Sequence, residues 1–297
     1  MNELRVTARR VDAAWVLLIL VAAADLLLYL LSLGGAPWRI GWSGEAWVAA
    51  GCLLLLALRH IYGRLRPDPR LSGLAHIALL FIAYTNLVAA LSYFLAGALQ
   101  RPLIDAALAA ADRAAGLDWP ACYRWLHDQP ARWSTARFLY NSEGPQVLLL
   151  ILVLGTRRPH RAREFFLGFA VCSLAVSVLG ALLPAAGAYV HYAVPDGLDR
   201  AYVRQYLALR DGLRVFDVRT VQGIVQFPSF HAALAVLCAY ASRGTWLWWP
   251  ALLLDVAIVV VTPVAGGHHF TDVGAGLLLA AAALWGGRRL GAAQSTS

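Results

Sequence analysis

His268, His269 and Asp272 stand together in GGHHFTDVGAG (266–276), between the apolar runs LLLDVAIVVVTPV and GLLLAAAALW. A further histidine, His231, ends FPSFH (227–231), also where an apolar run begins. On a helix, His268 and Asp272 share a face four residues apart. The carboxylate would then accept a hydrogen bond from one ring nitrogen and fix the tautomer with the other nitrogen aimed outward. His269 is turned away by about 100°, because a helix completes a turn in about 3.6 residues. An oriented, neutral imidazole is a nucleophile. A second imidazole, His231, suits proton transfer to a leaving oxygen and from an incoming hydroxyl.

The elements that must position these groups are membrane helices. The chain has 297 residues, 60% hydrophobic and 14% charged, with a mean hydropathy of +0.61. A soluble domain carries nearer a quarter charged residues. Apolar runs recur at about 20 residues, the length that crosses a bilayer as helix. The sequence therefore predicts an all-α, polytopic membrane protein with about eight transmembrane helices, near 12–33, 46–60, 72–98, 134–154, 164–184, 229–243, 246–263 and 269–287. No linker divides it. Residues 1–98 read as N-terminal membrane helices, 99–290 as the part carrying the chemistry, and 291–297 as a short tail, all one integral domain.

The net charge is +8 and all 25 basic residues are arginine. They gather in short loops between apolar runs, so the charge reports topology and not a nucleic-acid partner. Arg5, Arg9 and Arg10 place the N-terminus in the cytoplasm, and Arg288 and Arg289 place the C-terminus there too. The expected location is the cell (inner) membrane. The first apolar run is too long for a signal peptide and reads as an uncleaved helix. Cys52, Cys122, Cys172 and Cys238 form no CxxC pair, which argues against a disulfide framework or a thiolate metal site.

This topology puts both histidine motifs on the outer face. Pro228 and Ser229 are good residues for starting a helix. If the sixth and eighth helices pack side by side, two helix N-termini, His231 and His268 converge at one depth. A helix N-terminus offers free N–H groups and partial positive charge, which favour phosphate. The Gly266–Gly267 pair would let a substrate approach the backbone. His268 would attack phosphorus to give a phosphohistidine, Asp272 would orient it, and His231 would serve as acid and base. Such chemistry requires neither metal nor cofactor. A metal site from His231, His268, His269 and Asp272 has suitable ligand types, but neighbouring histidines on a helix point apart and no HExxH-like spacing occurs.

Two long outer segments flank the site. Residues 99–133 read as an amphipathic helix with Leu103, Ala107, Leu108 and Ala111 on its apolar face, then an interfacial belt of tryptophans. Residues 185–228 are richer in Arg, Asp and Tyr. Glu143 lies near the middle of the fourth helix beside Pro145, where a proline kink would open a headgroup pocket. Asp25 and Asp255 are expected to pair with other helices or to reach the interface.

FPSFH (227–231) and GGHHFTD (266–272) resemble the second and third signatures of the type 2 phosphatidic acid phosphatase superfamily. They are more closely similar to its inositol phosphorylceramide synthase-like branch, in which FPS-x-H-A and G-x-H-(aromatic or H)-x-x-D recur. DAALAAADRAAGLDW (105–119), YNSEGPQ (140–146) and REFFLGFAVCSLAVSVLGALLPAAGAY (163–189) are similar to that branch as well, so the resemblance covers about 100–285. It implies a phosphatase-type helix-bundle core and a metal-independent phosphatase or phosphotransferase. The substrate would be a phosphorylated lipid or polyprenyl ester at the extracytoplasmic side. His268 carries over as nucleophile, His231 as acid/base and Asp272 as orienting partner.

The departures concern cations. The superfamily's first signature, K-x6-R-P, cannot occur in a chain without lysine, and the S-R that opens the third is Val261–Thr262 here. Phosphate-binding charge must then come from elsewhere, and Arg210, Arg214 and Arg219 in the outer loop are the candidates, beside Ser229, Gly267 and Glu143. Water or an alcohol headgroup would both complete the reaction. The rival reading is a transporter or non-catalytic membrane protein using the same polar cluster. Against it, the polar residues gather at one face and no inverted repeat occurs.

Overall fold

The computed structural model of the protein describes residues 12–295, with side chains to 287. Arg5, Arg9, Arg10 and the side chains of Arg288 and Arg289 therefore lie outside the described residues. Helix α1 (Ala13–Ser32) starts at Asp12, whose carboxylate accepts the N–H of Ala14. A two-residue strand β1 (Arg39–Ile40) leads into α2 (Trp42–His60), which one π-helical turn extends through Leu65. Asp68 caps α3 (Pro69–Ala98), with proline at the first position, where no N–H is needed. Then follow α4 (Asp105–Ala114), α5 (Trp119–His127), α6 (Pro130–Asn141), α7 (Glu143–Arg157) and α8 (Pro159–Leu182). The second outer segment holds α9 (Ala188–His191), α10 (Pro195–Leu198), α11 (Ala201–Arg210) and strand β2 (Val215–Phe216). Helices α12 (Phe230–Ser242), α13 (Trp248–Ala265) and α14 (Phe270–Ser295) complete the chain.

Among the described residues seven helical stretches are long and apolar enough to span a membrane: α1, α2 with its π turn, α3, α6 with α7, α8, α13 and α14. With the shorter apolar α12 they account for the eight apolar runs of the sequence. Helix α12 has only 13 residues. At 1.5 Å per residue it is about 20 Å long, against a hydrocarbon core of about 30 Å. Large apolar side chains such as Ile19, Leu53, Leu253 and Leu278 remain exposed on the outside of the bundle, where lipid covers them.

Among the described residues the inside holds one large apolar cluster and three smaller ones. Helix α3 packs against α1, α2, α7 and α8, and α12 packs against α7, α8, α13 and α14. Phe81 meets Phe165, Phe166 and Phe169 with ring centroids 5.1–5.4 Å apart. The Tyr84 hydroxyl donates to the carbonyl of Ala170. Strands β1 and β2 pair in parallel, with Arg39 opposite Val215 and Ile40 opposite Phe216, and so tie the N-terminal helices to the outer segment. At Gly276 a Cβ would lie 2.2 Å from the carbonyl oxygen of Ser229. Only glycine lets α14 press against the start of α12.

Four expectations change. The fourth span breaks at Ser142, ahead of Pro145, which sits in the first turn of α7 where its missing N–H costs nothing. Glu143 is thus the first residue of a helix, not the middle of one. Helix α4 turns Asp105, Leu108, Ala109 and Asp112 inward and leaves Leu103, Ala107 and Ala111 exposed. The two aspartates bury because each finds backbone donors, as described below. Of the tryptophans, Trp125 is exposed but Trp119 is buried, stacked between Tyr123 and Tyr192. Lastly, α14 continues to Ser295, into the expected tail.

Candidate active site

Ser229 caps α12 with its hydroxyl on the N–H of Ala232, and its own N–H donates to the carbonyl of Asp272 at 3.0 Å. The beginnings of α12 and α14 are thereby stitched together. His268 lies one turn of chain before, outside α14, and is almost fully buried. Its Nδ1 is 2.9 Å from the carbonyl oxygen of Gln226. A carbonyl only accepts, so Nδ1 carries the proton and Nε2 keeps its lone pair. That Nε2 lies 3.4 Å from Ser229 Oγ, facing the start of α12. Burial pushes the His268 imidazole down to about 4, against the pull of the Gln226 carbonyl, with nearby His269 adding to the fall. The ring is neutral at neutral pH.

Asp272 is fully buried but does not orient His268 by a direct hydrogen bond. Its Oδ2 accepts the N–H of His269 at 2.8 Å and lies 3.5 Å from His268 Nδ1. The reason is that His268 precedes the helix, so helical i,i+4 geometry does not hold. Asp272 sets a carboxyl group 3.5 Å from the ring, while the Gln226 carbonyl sets the ring's angle.

His231, the second residue of α12, is about a third exposed (35%). Its ring stacks on Tyr140 of α6, centroids 4.1 Å apart and planes 17° from parallel. Its Nε2 lies 3.6 Å from Glu143 Oε2. The two histidines are within electrostatic reach of each other.

Backbone donors differ between the two helix starts. The N–H groups of His269, Phe270 and Thr271 are all taken, the first by Asp272 and the others by Asp112 at 2.9 and 2.8 Å. Among the described residues nothing accepts from the N–H groups of Phe230 and His231. Of two helix N-termini expected to hold an anion, only α12 has free donors.

The loop carrying His268 is clamped from several sides. Gly267 has φ +69°, and a Cβ there would meet the Tyr189 ring at 2.5 Å and the Tyr202 hydroxyl at 2.7 Å. The space beside Gly267 is thus filled by the protein's own tyrosines and is not left for a substrate. Tyr202 donates to the Gly266 carbonyl, Tyr189 to that of Val264, and Trp119 Nε1 to those of His268 and Pro263. His269 is buried between Asp105 (3.4 Å) and Asp112 (3.7 Å). Burial alone would raise the Asp105 carboxyl, but His269 and the N–H groups of Ala186 and Gly187 hold it below its ordinary value.

The three outer arginines do not join the histidines. Arg210 donates to the carbonyl of Arg101, and Arg214 to those of Leu209 and Gly97 while lying over Trp38. Arg219 is exposed and forks onto Asp217. Arg200, at the start of α11, lies closer to the tyrosines that clamp the histidine loop. It lies over the Trp133 ring and its charge is felt at Tyr140, Tyr189 and Tyr202. Asp105, Asp112, Trp119, Tyr140, Arg200 and Gln226 were not singled out from sequence. The aspartates are seven apart, two turns on one face, and were readable as a pair; Gln226 acts through its carbonyl, which no residue type reveals.

Among the described residues no group of three or more His, Cys, Asp or Glu side chains is arranged to hold a metal ion. The profile of the PAP2 superfamily matches residues 106–286, which takes in α4 through most of α14 and both histidine motifs. The chain belongs to the PAP2 superfamily, whose members are generally phosphatases, and it is a membrane-spanning protein of that phosphatase type. No curated protein and no solved structure matches the chain.

Proposed function

We propose that the protein is a metal-independent phosphatase or phosphotransferase of the inositol phosphorylceramide synthase-like branch, acting on a phosphorylated lipid or polyprenyl substrate at the extracytoplasmic side. The observation that carries this reading is the orientation of His268. Its Nδ1–H is tied to Gln226, and its Nε2 lone pair is aimed at the start of α12, where the N–H groups of Phe230 and His231 are free. A phosphoryl group held on those donors lies in front of the nucleophile. Attack by Nε2 gives a phosphohistidine whose ring becomes positive, and the Asp272 carboxylate 3.5 Å away offsets that charge. His231 protonates the departing oxygen and deprotonates the water or alcohol that follows.

Arg200 supplies the guanidinium of the outer wall in this reading. Arg210, Arg214 and Arg219 hold the outer segment in place. Because α12 is short, the site lies below the membrane surface, which suits an ester carried by a lipid. The deciding experiment incubates purified protein with labelled phospholipids and polyprenyl phosphates in the presence of EDTA. Release or transfer of the phosphate or headgroup, abolished in His268→Ala, is the expected result. No turnover of any phosphate ester, or activity lost to EDTA, overturns the reading.

A further inference from the structure

His231 must be charged before it can act as an acid, yet it stands in a cleft between membrane helices. A lone imidazolium in such a place is expelled to its neutral form by desolvation. The structure puts a carboxylate where it is needed. Glu143, the first residue of α7, is 3% exposed, and its Oε2 lies 3.6 Å from His231 Nε2. Its Oε1 has no hydrogen-bond partner. Behind it stands Asp255 of α13, also buried, beside Gln146 and within electrostatic reach of Glu143. On the other side of His231 the Tyr140 ring is nearly parallel to the imidazole. The Tyr140 hydroxyl lies 3.2 Å from Nδ1 and hydrogen-bonds it, so Nδ1, the nitrogen turned away from Glu143, meets a substrate oxygen once that hydroxyl yields its place.

We propose that Glu143 and His231 form a pair that carries one proton: His231 hands it to the leaving oxygen, and Glu143 keeps the pair neutral while it is loaded. The proposal rests on the phosphoryl-transfer reading above and names a positioning residue for its acid. The step balances. As the bond from phosphorus to His268 Nε2 forms, the bond to the leaving oxygen breaks and the proton moves from His231 to that oxygen. The pair is left as neutral imidazole and carboxylate, and its negative charge is matched by the positive phosphorylated ring. In the second half the acceptor hydroxyl returns a proton to His231 while its oxygen bonds phosphorus and the P–N bond breaks. Each histidine then has a carboxylate of its own, Asp272 for the nucleophile and Glu143 for the acid.

The test uses the full-length protein and two esters with one lipid-like chain, an alkyl phosphate and its 4-nitrophenyl counterpart. An alkoxide needs a proton to leave, whereas 4-nitrophenolate does not. Glu143→Gln is expected to slow the alkyl ester about 100-fold and the nitrophenyl ester by no more than about threefold. Its alkyl-ester pH optimum moves acidward, since His231 without its carboxylate holds a proton only at lower pH. Glu143→Asp keeps the charge on a shorter arm and shows the same one-sided loss, about tenfold, which serves should the glutamine variant fold poorly. Equal losses on both esters in both variants, or no loss in either, overturn the pairing. A wild-type protein that turns over neither ester overturns the phosphoryl-transfer reading instead.

Discussion

Asp272 does two jobs that one substitution separates. Its Oδ2 accepts the His269 N–H, and in the proposed reaction its charge offsets that of the phosphorylated His268 ring. Asparagine keeps an acceptor but loses the charge. Asp272→Asn is therefore expected to fold with little change in melting temperature while kcat drops by about 100-fold, a magnitude usual for removing one preorganised electrostatic contact. The His268 ring also has a distinctive titration. Burial holds it at about 4, well below the ordinary value of about 6.5. In the proposed reaction only the unprotonated ring attacks, so the acid limb of kcat/KM should fall near pH 4 and not near 6.5. Linkage runs the same way: the unfolded chain takes up this proton first, so stability is lost as pH falls from about 6.5 toward 4. A kcat/KM profile breaking near 6.5 would contradict the neutral, carbonyl-tethered ring.

At the scale of elements, the surprise is how α14 begins. The sequence motif made His268 and Asp272 legible as a pair, because four residues on a helix is a strong geometric statement. It left out the fact that the helix starts two residues after His268. The partners that hold this start come from α4, over 150 residues away in the chain at Asp112, and single-sequence reading has no term for such distance. Asp112→Ala frees the N–H groups of Phe270 and Thr271, and a lost cap costs about 1 kcal/mol. A lower melting temperature with a further loss of kcat is expected, since the same loop carries His268, the proposed nucleophile. Gly267→Ala should be worse. The left-handed backbone strains alanine by about 1–3 kcal/mol, and Tyr189 and Tyr202 leave its Cβ no room. Thermal melts and turnover of both variants, ranked against Asp112→Asn, check this order.

For the molecule as a whole, seven of the eight expected membrane helices are long enough to span, because the bilayer imposes a length on apolar runs. Helix α12, at 13 residues, falls short of it. Which of them pack together was not readable. The buried core runs from Ala14 of α1 through Ala280 of α14, and the β1–β2 pairing joins the first helices to the segment that leads into FPSFH. Removing residues 1–41 would take away both α1 and β1. Such a truncation is expected to lose activity along with melting temperature, although no group of the site lies there; a truncated protein with wild-type turnover would show the N-terminal helices to be dispensable.

Helix α12, about 20 Å from end to end, would make the host membrane's thickness a variable of the proposed reaction. If its inner end rests at the cytoplasmic boundary, every ångström added to the acyl region lengthens the shaft between bulk water and His231. A lipid headgroup then has to be drawn farther down to be cut, while water meets the phosphorylated intermediate less often. Reconstituted into phosphatidylcholine bilayers of increasing chain length, the protein should turn over more slowly and pass a growing share of its phosphoryl groups to alcohols instead of water. The partition between hydrolysis and transfer would thus be set by the solvent the protein lives in as much as by its own residues.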